Sequence, residues 1–283
     1  MVSPTRSLPE GGRLERAARV RHPAVAGQFY PSQPAKLRSA IRRYLDEATS
    51  PMTASWRAVI VPHAGYMCSG RTAAHGFKVL AALPPAEYTI FLLGPAHWLQ
   101  VEGVGLSSAA EFETPLGSAP VAADCVVELL SLGRPYTLTD AAHAPEHSLE
   151  VELPFLQTAL ATFDIVPMLV GPTVPPTRVA DDLLRLMVAL PNPLLVVSSD
   201  LSHYHRWEDA SRLDRAFLQA VIDQDVEAVS RGEACGLPGI LTVMHIARRL
   251  GWRASLLAYA NSGDTCGTRD AVVGYGAVAY SAS

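Results

Sequence analysis

Three histidines stand shortly after apolar stretches of this sequence. His63 follows AVIVP, His97 follows FLLGPA and His203 follows VVSSDLS. Imidazole is the commonest metal ligand in proteins and titrates near neutral pH, so grouped histidines suit metal binding or proton transfer. Several neutral imidazoles favour zinc, copper or iron, whereas carboxylate and water alone suit magnesium or calcium. The repeated arrangement predicts one site that all three histidines share.

Asp200 and two other short stretches add candidates for the same chemistry. Asp200 stands three residues before His203 and could orient an imidazole by accepting its hydrogen bond, although SSD is also good capping or turn chemistry. The stretch APEHSLE places Glu146 and His147 ahead of a helical pattern, where Glu146 could act as an electrostatic cap. In EACGLPG, Cys235 precedes a predicted helix whose N-terminus would stabilise a thiolate. On its own, Cys235 is equally consistent with a core cysteine.

The elements that must position these residues alternate along the chain. Continuous apolar runs are typical of strands covered on both faces in a parallel sheet, and they predict strands at residues 58–61, 89–93, 165–170 and 194–197, with weaker candidates at 256–259 and 272–280. Amphipathic patterns predict helices at residues 71–83, 124–132, 179–190, 206–223 and 238–250, and a helix near 149–160 that Pro154 would kink. This alternation predicts an α/β fold with a central, mostly parallel sheet flanked by helices. Ligands of such sheets bind at the carboxyl ends of the strands, where the three histidines fall.

Length, charge and cysteine usage narrow the class of protein. The 283 residues are 49% hydrophobic. Without a linker or repeat, we expect a single domain over residues 21–283 after a disordered polar tail at residues 1–20. The net charge of −4 comes from interspersed charges, which argues against a nucleic-acid partner. No apolar run reaches the roughly 18 residues of a membrane span, and the N-terminus lacks the apolar core of a signal peptide. We therefore expect a cytoplasmic protein whose cysteines are reduced. Because no CxxC pair occurs, we do not expect a structural zinc knuckle.

Seven stretches in order resemble the MEMO family, whose bacterial and archaeal members are often called AmmeMemoRadiSam system protein B. They are RHPAVAGQFYP, VPHAGYMCSG, LLGPAHW, EHSLEVELPFLQ, SSDLSHY, ACGLPGI and YANSGD, and they span about residues 21 to 280. The resemblance implies a fold similar to that of the class III extradiol dioxygenases, which are non-haem iron enzymes that cleave catechol rings. Each stretch alone is weak, but the ordered set is specific.

The same resemblance implies roles for particular residues. His63, His97 and Cys235 stand where the family holds its metal. His203 stands where the related dioxygenases keep an acid/base histidine, and Asp200 belongs to the same motif. His147, in the EHS motif, is implied to line the pocket. Tyr66 is expected either to offer its phenol to the pocket or to pack under the loop, and Cys266 is not predicted to be a ligand.

One departure from the dioxygenases affects the expected chemistry. Those enzymes hold iron with two histidines and a carboxylate, whereas Cys235 takes the place of the carboxylate in the MEMO pattern. A thiolate is softer and oxidisable, and it tolerates copper(I) or zinc. We expect iron(II) first, copper second and zinc third, and ring cleavage does not follow from the fold.

Three functional hypotheses follow from these expectations. The first is a mononuclear metalloprotein with oxygen-dependent or redox chemistry on a small molecule. The second is a binding protein that recognises a peptide or partner with the same pocket, the metal being absent or incidental. The third is a zinc-dependent hydrolase in which His203 shuttles protons. The family name also suggests a pathway shared with a radical SAM protein and an AMMECR-type protein, which would modify a small molecule or RNA.

Overall fold

The strands with continuous apolar sequence form the centre of this computed structural model, which describes residues 19–51 and 55–282. Numbered along the described chain, the strands are β1 Val20–Arg21, β2 Trp56–Val61, β3 Glu87–Gly94, β4 Val104–Leu106, β5 Glu111–Thr114, β6 Gly117–Pro120, β7 Tyr136–Leu138, β8 Thr162–Val170, β9 Pro193–Ser198, β10 His203–His205, β11 Arg253–Asn261 and β12 Val272–Ser281. The helices are α1 Pro34–Glu47, α2 Tyr66–Ala81, α3 Ala123–Ser131, α4 Asp140–His143, α5 Leu153–Ala159, α6 Pro176–Ala189, α7 Trp207–Ile222, α8 Val226–Ser230, α9 Leu237–Leu250 and α10 Ser262–Thr265. None of these helices is long and apolar enough to cross a membrane. The predicted tail at residues 1–20 lies, up to residue 18, outside the described residues.

A nine-stranded sheet runs through the middle of the fold. Its order is β10-β12-β2-β9-β3-β8-β4-β7, and β11 also pairs with β12. The four middle strands β2, β9, β3 and β8 are parallel, while β12 and β4 join them on either side in antiparallel pairs. A separate small sheet has the order β1-β5-β6. The predicted α/β fold is confirmed: the four middle strands of the sheet are parallel, and antiparallel pairs at its margins make the whole sheet mixed.

Side chains of the middle strands alternate between two cores. On β2, Val59 and Val61 belong to one core, and Ala58 and Ile60 to the other. Residues of α1, α2 and α5 complete the first core, and residues of α6, α7 and α9 complete the second. Both faces of each middle strand are thus buried, which is why the apolar runs in the sequence are continuous.

Each predicted strand is present, but two helix predictions need correction. The helix after β2 begins at Tyr66 and not at residue 71, so the HAGY stretch leads directly into its first turn. Helix α5 begins at Leu153, which places Pro154 in the first turn. A proline is favoured there because the first-turn amides have no partner within the helix, so Pro154 starts the helix and does not kink it. Helix α1 was not predicted, although Leu37, Ile41 and Leu45 recur at helical spacing and are buried.

Cys68 and Cys266 form a disulfide bond, which corrects the expectation that all four cysteines are reduced thiols. Cys68 lies in the first turn of α2 and Cys266 directly follows α10. Their Cα atoms are 5.1 Å apart although 198 residues separate them along the chain. The two cysteines meet because α10 packs against α2. The spacing of the cysteines along the sequence gives no indication of that packing. Cys125 and Cys235 are free.

Candidate metal centre

Three side chains with metal-binding atoms converge at the carboxyl ends of the middle strands. β2, β9 and β3 are neighbours, and the pairing of Val61 with Ser198 brings the ends of the first two level. His63 follows β2 by two residues, His97 follows β3 by three, and Cys235 stands in the loop before α9. One ligand atom of each lies within 4.8 Å of the other two. The sheet order thus gathers three residues that are remote along the chain.

Backbone contacts hold Cys235 against the end of β9. Its amide donates to the carbonyl of Asp200 at 3.2 Å, and the amide of Asp200 donates to Sγ, also at 3.2 Å. Gly236 permits this close approach, because a Cβ atom there would lie 2.6 Å from the carbonyl oxygen of Ser198. As a result, Sγ of Cys235 lies 3.3 Å from Nε2 of His63. The loop therefore presents its sulfur to the imidazole.

Two of the donor groups, Cys235 and His63, favour their neutral forms when no cation is bound. Burial, followed by the nearby Asp200 carboxyl, raises the pKa of the Cys235 thiol to about 12. Burial lowers the pKa of His63 well below its usual value, and the imidazoles of His97 and His147 lower it too. Neutral imidazole is the form that binds metals, whereas cysteine binds as the thiolate. Metal binding at this site would therefore release the thiol proton.

Glu146 fixes the orientation of His97. Its Oε1 accepts a hydrogen bond from Nδ1 of His97 at 2.9 Å, and its Oε2 accepts one from the His97 amide at 2.5 Å. The amides of His147 and Ser148 also donate to Oε1, each at 2.9 Å. Burial opposes the ionisation of Glu146, but these hydrogen bonds outweigh it and lower its pKa to about 2. A carboxylate on Nδ1–H leaves Nε2 of His97 as the free donor atom.

Glu146 also belongs to a second group with metal-binding atoms, formed with His97 and His147, whose atoms lie within 4.8 Å of one another. Both carboxylate oxygens of Glu146 already accept hydrogen bonds, three of them at Oε1. A metal ion bound there would have to displace these donors. We interpret the second group as the support of His97 and not as a second metal site.

Asp200 supports the backbone of the site and not an imidazole. Its Oδ1 accepts the amide of His63 at 2.9 Å, and the amide of Ala64 also donates to this side chain. The imidazole of His63 pairs instead with Oγ of Ser198, at 2.7 Å. The prediction that Asp200 accepts a hydrogen bond from an imidazole is therefore wrong, and its alternative role as a turn residue is the observed one. Burial raises the pKa of Asp200 to about 7.

His147 lies against both imidazoles of the three-residue group. Its ring stacks on His97 with centroids 4.6 Å apart and stands edge-on to His63 at 5.5 Å. The ring of Phe29 covers His147 from another side at 4.6 Å. Nδ1 of His147 is buried and lies 3.2 Å from Oε1 of Glu146 without forming a hydrogen bond to it, and burial lowers the pKa of His147 to about 4. His147 is thus a neutral, sparsely hydrogen-bonded imidazole beside the candidate ligands.

A buried ion pair positions Phe29 over the site. The side chains of Arg21 and Glu150 form an ion pair. The Glu150 carboxylate also accepts hydrogen bonds from the amides of Ala24 (2.7 Å) and Val25 (3.0 Å) and from the hydroxyl of Tyr30 (2.5 Å). These contacts wrap the RHPAVAGQFYP stretch around one carboxylate. The stretch was predicted only as part of the family pattern, and in the structure it brings the ring of Phe29 against His147.

His203 lies at the same end of the sheet but outside the group of three. Its amide donates to Oε1 of Glu233 at 2.8 Å, and Nε2 of His205 lies 2.8 Å from Oε2 of the same carboxylate. Glu233 thereby ties β10 to the loop that carries Cys235. Burial is the main cause of a lowered pKa for His203, and His97 contributes to it.

Other residues of the neighbourhood were assigned no definite role by sequence reasoning. Tyr66 packs beneath the loop, donates its hydroxyl to the carbonyl of Val151 at 2.6 Å and is buried. Glu146 was interpreted as a cap, and only the fold reveals its bonds to His97. Ser198 and Glu233 stand beside predicted site residues in the sequence, but neither residue type signals such a role without the three-dimensional contacts.

Comparison with known proteins adds independent information. A family described as Memo-like protein matches residues 21–279. A MEMO1 family protein of Archaeoglobus fulgidus is 37% identical over 276 residues, which cover 92% of this chain and 99% of that protein. One of Thermoplasma volcanium is 33% identical over 267 residues, covering 92% and 97%. Among solved structures, an uncharacterized protein of Escherichia coli K12 matches with a TM-score of 0.50 and 14% identity, over 79% of this chain and 99% of that one. The last likeness concerns the fold alone.

Proposed function

This chain belongs to the Memo-like protein family, and we propose that it is a metal-binding protein with one mononuclear centre held by His63, His97 and Cys235. One observation carries the proposal: ligand atoms of these three residues lie within 4.8 Å of one another. His63 follows β2, His97 follows β3 and Cys235 precedes α9. Their convergence therefore results from tertiary packing and not from closeness along the chain.

The donor set supports this proposal on geometry and chemistry. Metal–sulfur and metal–nitrogen bonds of about 2.3 and 2.0 Å put two donor atoms of one tetrahedral ion about 3.5 Å apart, and Sγ of Cys235 lies 3.3 Å from Nε2 of His63. Hydrogen bonds to the remote ring nitrogens of His63 and His97 are of the kind that orients metal-binding imidazoles. Two imidazoles and a thiolate suit iron, copper and zinc.

Iron(II) is proposed first because two histidines with open positions are typical of non-haem iron sites, with copper second and zinc third. Bound iron or copper would supply electron transfer with oxygen or a small molecule, and zinc would supply a Lewis acid.

His203 is proposed as the group that holds or accepts a proton beside the site. Asp200 supports the turn of His63, and His147 is proposed to orient the substrate. A pathway shared with radical SAM and AMMECR-type proteins stays a prediction from the family name.

A second candidate function is the binding of an apolar peptide or partner. Three large apolar side chains adjacent in sequence to the site are exposed, namely Met67 (77%), Trp98 (63%) and Tyr204 (78%). Met67 follows the His63 turn, Trp98 follows His97 and Tyr204 follows His203. Such residues favour contact with a ligand that has an apolar group. In this alternative the metal is incidental to binding.

Metal content after purification tests the proposal. The full chain is purified anaerobically without added metal, analysed for iron, copper and zinc, and its visible spectrum is recorded on exposure to air. About one iron or copper per chain is expected, with a visible charge-transfer band from the thiolate. Cys235→Ala should lose both the metal and the band.

Cys125→Ala is the matched control, because Cys125 is a free, buried cysteine of the second core. It should retain the metal content of the wild type. Equal metal content in both cysteine variants would contradict the proposed ligand set. Zinc with oxygen-independent turnover would favour the hydrolase, and metal-free protein with undiminished partner binding in His63→Ala would favour the binding protein.

A further inference from the structure

The hydroxyl of Ser198 makes three short contacts behind His63. Its Oγ lies 2.7 Å from Nδ1 of His63, 2.6 Å from the carbonyl oxygen of Ser148 and 2.8 Å from Oε1 of Glu152. Ser198 and Glu152 are both buried, with 0% and 1% exposure.

The number of protons available at Ser198 determines which of its neighbours donate hydrogen bonds and which accept them. A hydroxyl has one proton to donate and two lone pairs that accept. The carbonyl of Ser148 only accepts, so the Ser198 proton goes there. The two remaining contacts are favourable only if Nδ1 of His63 and the carboxyl of Glu152 each carry a proton. An ionised Glu152 would compete with the Ser148 carbonyl for the single hydroxyl proton.

We infer that Glu152 is a neutral carboxylic acid which, through Ser198, holds His63 in the Nδ1–H tautomer and is a positioning residue of the metal centre. This inference rests on the proposed metal function. The Nδ1–H tautomer leaves the Nε2 lone pair free, and Nε2 is the atom that lies 3.3 Å from Sγ of Cys235. With Glu152 as a donor, the Ser198 proton is not drawn away from the Ser148 carbonyl, and the second lone pair of Oγ stays available to Nδ1–H of His63.

The surroundings of Glu152 agree with a neutral side chain. Among the described residues, no arginine, lysine or histidine forms an ion pair with it. Burial raises the pKa of Glu152 well above its usual value, and the Asp200 carboxyl raises it too, against the hydrogen bond with Ser198. Glu150, two residues earlier, is equally buried but pairs with Arg21. The two glutamates of one turn therefore carry different charges.

Three variants separate the members of this chain of hydrogen bonds. Ser198→Ala removes the partner of Nδ1 and should weaken metal binding about 10- to 100-fold. Glu152→Met fills the same space without a proton to donate and should weaken it by no more than about 10-fold, since the Ser198 hydroxyl loses one of the partners that fix its orientation. Glu152→Gln can donate an amide proton to Ser198 and should recover most of the wild-type affinity. Ser107→Ala, at a buried serine bonded to Asp140, is the control.

The experiment uses the full metal-free chain and two readouts. Titration with Co²⁺, followed by its visible spectrum, gives the affinity of each variant. The ¹⁵N shifts of the His63 ring, recorded before any metal is added, give its tautomer without reference to metal binding. The Nδ1–H form is expected in the wild type and Glu152→Gln, and a shift toward Nε2–H in Ser198→Ala and Glu152→Met.

The outcomes distinguish this inference from the proposed function. Wild type without Co²⁺ binding but with the Nδ1–H tautomer would contradict the metal centre and leave the Ser198 and Glu152 arrangement standing. Glu152→Gln behaving like Glu152→Met in both readouts would show that donation of a proton to Ser198 is not what Glu152 supplies, and would overturn the inference. Wild-type tautomer and affinity in Ser198→Ala would overturn it as well. If Glu152→Met fails to fold, the comparison of Glu152→Gln with Ser198→Ala decides.

Discussion

Sγ of Cys235 lies 3.3 Å from Nε2 of His63, although 172 residues separate the two along the chain. The contact depends on the packing of the loop before α9 against the end of β9, the strand next to β2. Because the packing of the fold positions both donor atoms, substitutions that loosen their supports should reduce metal affinity before they affect the fold.

Replacing Glu146 should weaken metal binding through His97. In Glu146→Gln, the carboxylate that accepts Nδ1–H of His97 at 2.9 Å becomes an amide without charge, and metal affinity should fall about 10- to 100-fold. Co²⁺ titration measures the change. Glu102→Gln, at an exposed loop position, should behave like the wild type. An unchanged affinity in Glu146→Gln would show that His97 does not depend on this carboxylate.

Removing one partner of the Arg21–Glu150 pair should destabilise the protein strongly. Both side chains are buried, at 5% and 0% exposure, and a buried charge without its partner costs about 3–5 kcal/mol of unfolding free energy. Arg21→Met should show this loss in urea denaturation, and Arg21→Met with Glu150→Gln should recover part of it.

An exposed ion pair provides the comparison for the buried pair of Arg21 and Glu150. Arg231 and Glu227 form a surface ion pair at 2.6 Å, and Arg231→Met should cost less than about 1 kcal/mol. If Arg21→Met costs as little as Arg231→Met, the buried carboxylate is not ionised and the proposed anchoring of the RHPAVAGQFYP stretch is wrong.

Loss of the Cys68–Cys266 bond should lower the free energy of unfolding. A cross-link over 198 residues restricts the unfolded chain, and removing a native disulfide costs about 2–5 kcal/mol. Cys68→Ser with Cys266→Ser should therefore unfold at lower urea concentration than the wild type. Alkylation and mass spectrometry should label Cys125 and Cys235 in unfolded protein without reductant, and all four cysteines after reduction. Labelling of all four without reductant would contradict the bond.

His143 should make stability fall in mildly acidic solution. Burial lowers its pKa from 6.5 to about 4, and its Nε2–H donates to the carbonyl of Gly105 at 3.0 Å. Because the folded state resists protonation, the contribution is complete above about pH 6.5 and is lost as the pH falls toward 4. The shift corresponds to about 3 kcal/mol.

Urea denaturation between pH 7.5 and pH 4 measures that effect as a difference between the wild type and His143→Gln. The wild type should lose about 3 kcal/mol more than the variant over this range. Taking the difference removes the contributions of His147 and Asp200, whose own pKa values are also shifted. Parallel curves for the two proteins would show that His143 is not the cause.

Much of the fold was predictable because burial leaves a direct pattern in the sequence. The middle strands are apolar on both faces, so their runs are continuous, and the histidines stand where those runs end. Parallel neighbours have their carboxyl ends at one edge, so His63 and His97 were expected to be close. The order of seven short stretches indicated the family, and the match over residues 21–279 agrees with it.

Other parts of the site were decided only by tertiary structure. Glu146 bonds to His97 across 49 residues, Ser198 takes the imidazole bond that was predicted for Asp200, and Cys68 pairs with Cys266 across 198. Sequence periodicity reports which face of one element is buried, and it contains no distance between elements. Those distances come from the packing of helices and loops on the sheet, which is why sequence alone identified the candidate ligands while the groups that orient them emerged from the fold.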